Sequence, residues 1–219
     1  MSKKNDTSSI LTIAGMAILL VLGVLMFSSK PSTTSSSGKV DQSVLIKSDS
    51  YKSTSDIKKV TLVEFADYEC PACGQAAPII SQIASDYKDS VTYVFRNFPL
   101  SYHANALVAS ETAEAAGAQG KFWQMHDMLY SKQSEWSDSS APLDIFSGYA
   151  STLGLDVDKL KASVQANTYK SKIDRDYNDG IAASVEATPT FYINGVKYTG
   201  SYAYPELKKA LDDAIKNTK

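Results

Sequence analysis

The stretch Glu64-Phe65-Ala66-Asp67-Tyr68-Glu69-Cys70-Pro71-Ala72-Cys73 contains the only two cysteines of this 219-residue chain. It joins a strand-like run, Val60 to Ala66, to a helix-like run, Gly74 to Tyr87. A strand-to-helix turn at that junction can point one sulfur at solvent. The start of a helix offers free N–H groups and the positive end of its dipole, both of which stabilise an anion. A thiol held there can ionise near neutral pH, and the thiolate is the nucleophile of disulfide exchange. Two cysteines are too few for a disulfide scaffold, and a ring with only Pro71 and Ala72 inside it constrains the unfolded chain little. Reactivity, not stability, is the better reason for the pair.

The strand before the pair, Val-Thr-Leu-Val-Glu-Phe-Ala, is apolar or β-branched nearly throughout, as suits a central strand buried on both faces. Glu64 is the exception. Burial disfavours an ionised carboxylate, so its pKa is expected to rise, and six residues before Cys70 it is placed to accept the proton of the second thiol. After the pair, Pro71 sits at an early helical position where a missing N–H costs little, whereas Pro78 lies deeper and is expected to kink the helix.

Val91 to Phe95 reads as a second strand, completing a βαβ unit. From about His103 to Ala187 the pattern is helical: His103 to Ala118, Lys121 to Lys132, Pro142 to Leu153, Val157 to Val164 and Tyr169 to Val185, an all-helical insert of roughly eighty residues. Strands return at Thr190–Ile193 and Val196–Thr199 around Asn194-Gly195, a pair that favours a type I′ hairpin turn. A last helix runs from Pro205 to about Lys216. Thr188-Pro189 precedes the hairpin, and spacing alone leaves both its cis and trans forms open.

Toward the N-terminus, Ile10 to Phe27 is uncharged and apolar or small apart from Thr12, about the minimum length for a membrane-crossing helix. Lys3 and Lys4 precede it and Lys30 follows, a basic bias that places residues 1–9 in the cytoplasm and the rest outside. A cleaved signal peptide is the competing reading, but an A-x-A-like site is missing and the run is long for an h-region, so a retained anchor is favoured. Residues 28–43, rich in Ser and Thr, read as a flexible spacer. Val44-Leu45-Ile46 is expected as a short outer strand, followed by a polar loop through Lys59.

Composition adds exclusions. Hydrophobic residues make up 43% and charged residues 21%, ordinary for a globular domain with a substantial core. A formal net charge of -2 gives no electrostatic footprint for nucleic acid. His103 and His126 are too far apart for a zinc-finger spacing and lie in helical stretches, so no metal site is expected. His126 is expected to pack with Trp123 and Met125, and His103 to begin a helix.

The order strand, Cys-x-x-Cys, helix, strand, helical insert, Thr-Pro, hairpin, helix resembles the DsbA family of thioredoxin-fold thiol-disulfide oxidoreductases over about Val44 to Lys219. Four segments carry the resemblance: Val63-Glu64-Phe65 with Cys70-Pro71-Ala72-Cys73; Arg96-Asn97-Phe98-Pro99-Leu100; Gly117-Ala118-Gln119-Gly120-Lys121-Phe122-Trp123; and Ala187-Thr188-Pro189-Thr190-Phe191. It implies an α/β thioredoxin-like fold, βαβ…ββα with the helical insert, here preceded by a transmembrane helix. Cys70 is then the exposed nucleophile, Cys73 the more buried second cysteine, Glu64 the acid beneath them and Pro189 a cis-proline. Thr188 would line the site, and the adjoining sheet edge would bind an extended substrate segment. The resemblance further implies exported proteins with free thiols as substrates, a membrane partner that reoxidises the pair, and no cofactor.

One position departs from the family. Its best known members carry Pro-His between the cysteines, where this chain has Ala72, leaving the helix dipole and local N–H groups as the expected stabilisers of the thiolate. Oxidase, reductase and isomerase directions share such a site; an anchored binding protein with a structural disulfide would not need a reactive thiol.

Overall fold

The computed structural model describes residues 38–218, all within the compact unit that spans Gly38–Lys219. The expected tail, membrane helix and most of the spacer, residues 1–37, lie outside the described residues. Among the described residues no helix is long and apolar enough to cross a membrane.

A five-stranded mixed sheet organises the unit. In chain order its strands are β1 (Tyr51–Lys52), β2 (Val60–Ala66), β3 (Val91–Asn97), β4 (Thr190–Ile193) and β5 (Val196–Tyr198), arranged β1-β3-β2-β4-β5. β2 is central, as its composition predicts, and every residue of β2 and β3 is buried. They run parallel with Glu64 beside Phe95, while β4 runs antiparallel on the other side of β2 with Phe191 beside Glu64. The crossover between β2 and β3 is helix α2 (Pro71–Asp86), which follows helix α1 (Gln42–Leu45). α2 continues through Pro78, which faces solvent. The β4–β5 turn has Asn194 at φ 50° and Gly195 at φ 87°, the left-handed pair a type I′ turn requires.

Alternation along the strands sends side chains to two separate cores. On one face Leu62, Tyr93, Phe95 and Phe191 pack with Cys73, Ala76, Ile80 and Ile83 of α2. Leu207 and Leu211 of the terminal helix α9 (Tyr204–Asn217) join them. The same core continues into α3 (Ala106–Gly117), α4 (Phe122–Ser131), α5 (Gln133–Trp136), α6 (Pro142–Thr152) and α7 (Val157–Gln165), the helical insert. On the other face Val63, Phe65, Val94, Phe98 and Tyr192 pack with Leu45, Ala183 and Val185, with Tyr177 alongside. Tyr177 belongs to α8 (Lys170–Ala182). The last helix expected within the insert is therefore a covering layer of the sheet.

Three further expectations are corrected. Val44-Leu45-Ile46 is the end of a helical turn capped by Asp41, whose side chain accepts from the Ser43 N–H, and not a strand. The reason lies far along the chain: buried Arg96 of β3 donates to the carbonyls of Val44 (2.9 Å) and Leu45 (2.6 Å), drawing them to one side. The same guanidinium pairs with Asp176 at 2.9 Å and Asp179 at 2.5 Å, both on α8. Residues 39–43 belong to the fold and not to the spacer, since Lys39 pairs with Val196 in an isolated bridge and Val40 donates to the Gly195 carbonyl. Tyr51–Lys52, expected as loop, forms β1 against β3, where the Tyr51 ring stacks on Phe122 at 3.5 Å.

Candidate active site

The turn from β2 into α2 brings the cysteines to the carboxyl end of the central strand. Cys70 is the N-cap residue of α2 and has no side-chain capping bond, while Pro71 occupies the first turn, where a donor would be unused. Cys73 lies one turn in, on the face of α2 that meets the sheet, and is fully buried. Both thiols are free. Cys70 is the accessible member of the pair, though only 7% exposed, a narrower opening than the turn alone leads one to expect.

The loop that ends in Thr188-Pro189 closes over Cys70. That peptide bond is cis, and the Cys70 Sγ donates to the Thr188 carbonyl at 3.4 Å. The buried Thr188 hydroxyl has no hydrogen-bond partner among the described residues. The Cys70 pKa is lowered to about 5. The hydrogen bond from the Cys73 thiol is the largest cause; burial opposes it, and contacts with Thr188 and the N–H groups of Cys73 and Ala72 add to it. Ala72 therefore contributes through its backbone, and the leading stabiliser is the second thiol, ahead of the helix N–H groups expected from sequence. The Cys73 thiol is pushed well above its ordinary value, first by burial, then by that same hydrogen bond and by the charge of Glu64. One helix turn thus holds an acidic thiol and a reluctant one.

Glu64 lies on the strand face that carries Leu62 and Ala66, under α2, and is 2% exposed. Burial raises its pKa to about 7, partly offset by a 2.5 Å hydrogen bond donated by the Tyr93 hydroxyl and reinforced by charge at Cys70. It can hold or release a proton at working pH.

Three residues that the sequence did not single out complete the turn. Asp67, fully buried, accepts from the N–H groups of Glu69 (2.7 Å) and Leu100 (2.8 Å) and lies 2.7 Å from His103 Nδ1. Asn105 donates its N–H to the Glu69 carboxylate at 2.6 Å. Gln133 of α5 donates to the carbonyls of Tyr68 (2.7 Å) and Cys70 (2.9 Å). Asp67 was at least visible inside the quoted stretch; Gln133 carries no local signal. His103 precedes α3, and instead of only starting a helix it braces Asp67. His126 packs as expected against Trp123, with Tyr68, Phe95, Phe122 and Tyr130 around it, and burial lowers its pKa to about 3.

The family model described as Thioredoxin matches residues 58–213, from the approach to β2 into α9. The chain belongs to the thioredoxin family. The solved structures it resembles in fold include DsbA proteins. BdbD from Bacillus subtilis superposes with a TM-score of 0.71 at 24% identity, covering 83% of this chain and 98% of that one. The thiol-disulfide exchange protein alpha-DsbA2 from Wolbachia pipientis gives 0.68 at 23% identity, over 78% and 90%. At such identities these likenesses establish a shared fold: a thioredoxin-like sheet with a helical insertion. Among sequence relatives, the Na(+)/H(+) antiporter NhaA 1 of Salinispora arenicola is 40% identical over 161 residues, which is 73% of this chain and 24% of that protein. The chain spans about a quarter of the length of such relatives.

Proposed function

We propose that this thioredoxin-family protein is a thiol-disulfide oxidoreductase acting outside the cytoplasmic membrane, in the direction of a dithiol oxidase. The observation that carries the reading is the contrast across one helix turn between Cys70, whose pKa is lowered to about 5, and Cys73, whose pKa is raised. A thiolate this stable is a good leaving group, and it favours the reduced pair, which makes the disulfide form oxidising.

In the oxidising direction a substrate thiolate attacks Cys70 Sγ of the Cys70–Cys73 disulfide. The S–S bond breaks, its electron pair passes to Cys73 Sγ, and Glu64 supplies the proton that Cys73 then takes. A second substrate thiolate attacks the substrate sulfur of the mixed disulfide and releases Cys70 as thiolate, leaving the substrate oxidised and the pair reduced by two electrons. Reoxidation runs these steps in reverse, with Glu64 as base toward Cys73 and a membrane redox partner as oxidant. Thr188 and Pro189, against Cys70, would align an extended segment of an exported protein by backbone hydrogen bonds. Residues 10–27 would anchor the protein in the bilayer, with residues 1–9 cytoplasmic and the following residues serving as spacer.

Acid-quenched alkylation of cells, followed by a mobility shift for free thiols, reads the resting state of Cys70. A mainly oxidised pool is the expected result. A mainly reduced pool overturns the oxidase direction in favour of a reductase or isomerase, and slow alkylation of Cys70 across the acid range overturns thiol exchange itself.

A further inference from the structure

α5 is a single helical turn fastened at its C-terminal end. Trp136 is fully buried and its indole N–H donates to the Leu129 carbonyl at 2.9 Å. The Asn105 amide donates to the carbonyls of Trp136 (3.1 Å), Ser137 (2.9 Å) and Ser139 (3.0 Å). So fixed, the turn directs Gln133 into the start of α2. There one amide group bonds the carbonyls of both Tyr68 and Cys70, and the Cys70 carbonyl also accepts from the Gly74 N–H at 3.0 Å. The other end of the amide lies against Gly74: a Cβ built at that position would stand 2.8 Å from Gln133 Oε1. The glycine leaves room for the glutamine.

We infer that Gln133 is a positioning residue for the Cys70 nucleophile, through which the helical insert sets the reactivity of the thiol. The inference rests on the proposed role of Cys70. Two physical effects carry it. The Gln133 amide donates to the carbonyls of Tyr68 and of Cys70 itself, and its N–H dipole offsets the negative ends of carbonyls on the residue that carries the thiolate and on the turn before it. Fixing both carbonyls also fixes the backbone that aims the Ala72 and Cys73 N–H groups at Cys70 Sγ, in a segment where Pro71 supplies no donor. A bystander glutamine would contribute stability only.

The test is the pH profile of Cys70 alkylation by iodoacetamide in the reduced full-length protein. Gln133→Glu, which replaces the donors with a carboxylate, moves the midpoint up by about one pH unit, and Gln133→Ala moves it up by less. Gln133→Lys, which keeps a donor and adds a positive charge, leaves the midpoint in place or lowers it. Gly74→Ala reaches the same contact from the other side: alanine suits the helix, so folding is kept, while the displaced glutamine raises the midpoint. Coincident midpoints for the Glu, Ala and Gly74 variants, on a low wild-type value, overturn the inference alone. A wild-type midpoint near that of a free thiol, about 8.5, overturns the proposed function and this inference with it.

Discussion

Replacing Glu64 by glutamine tests whether the carboxyl under α2 is a tuned proton carrier. Its folded pKa of about 7 stands well above the reference of 4.5, a difference equivalent to about 3 kcal/mol for this fully buried group. The sign follows from proton binding. Between these two pH values the folded protein holds a proton that the unfolded chain has released, so stability falls as pH rises. The neutral carboxyl's contribution is fully present below about pH 4.5 and is lost as pH passes through about 7. Glutamine has no charge to bury and its amide oxygen can still accept from Tyr93. Reduced Glu64→Gln is therefore expected to match wild type near pH 4 and to exceed it by up to about 3 kcal/mol near pH 8.5, a rise in Tm of roughly 5–10 °C. Cys70 titrates in the opposite sense, but it is present in both proteins and drops out of the difference to first order. Urea unfolding of both reduced proteins across that range measures the gap. The same variant should slow the step in which Cys73 gains or loses its proton by about 100-fold or more. A stability gap independent of pH, or exchange rates equal to wild type with the same pH profile, would refute the proton-carrier role.

Two other substitutions probe neighbouring parts of the structure. Tyr93→Phe removes the hydroxyl that donates to Glu64 at 2.5 Å, so the carboxyl pKa should climb further and the Glu64-dependent limb of the pH–rate curve should move alkaline by about one unit; an unmoved limb would show that the hydroxyl does not tune the acid. Arg96→Met leaves Asp176, its side chain 2% exposed, with only the more distant Arg175 at 3.6 Å as a charged partner and frees the Val44 and Leu45 carbonyls, with an expected loss of about 3 kcal/mol in urea unfolding; a loss below about 1 kcal/mol would remove the guanidinium as the tie between α1, β3 and α8.

Much of the architecture is legible because its signals are local. The unbroken β-branched run announces a central strand before any neighbour is known, and Asn194-Gly195 specifies its turn through the backbone freedom of those two residues. α1 was unreadable for the opposite reason. Val44-Leu45-Ile46 has strand composition, and its helical turn is held by a guanidinium more than fifty positions away. α8 has a helix pattern like those of the insert, and nothing in that pattern says that it crosses back to cover the far face of the sheet.

The site divides in the same way. The sequence by itself determined which groups are proposed to carry the chemistry: two thiols separated by Pro71 and Ala72 at a helix start, a carboxyl in an apolar strand, and Thr188-Pro189 before a hairpin. These are fixed by residue type and short spacing. Only the tertiary structure decided how acidic each group is and which neighbours hold it, because burial, the Tyr93–Glu64 bond and the Gln133 bonds to Tyr68 and Cys70 join residues 29 to 65 positions apart. The free energy of an ionised group depends on the dipoles and charges within a few ångströms of it, and distances of that kind between remote residues are set by the fold.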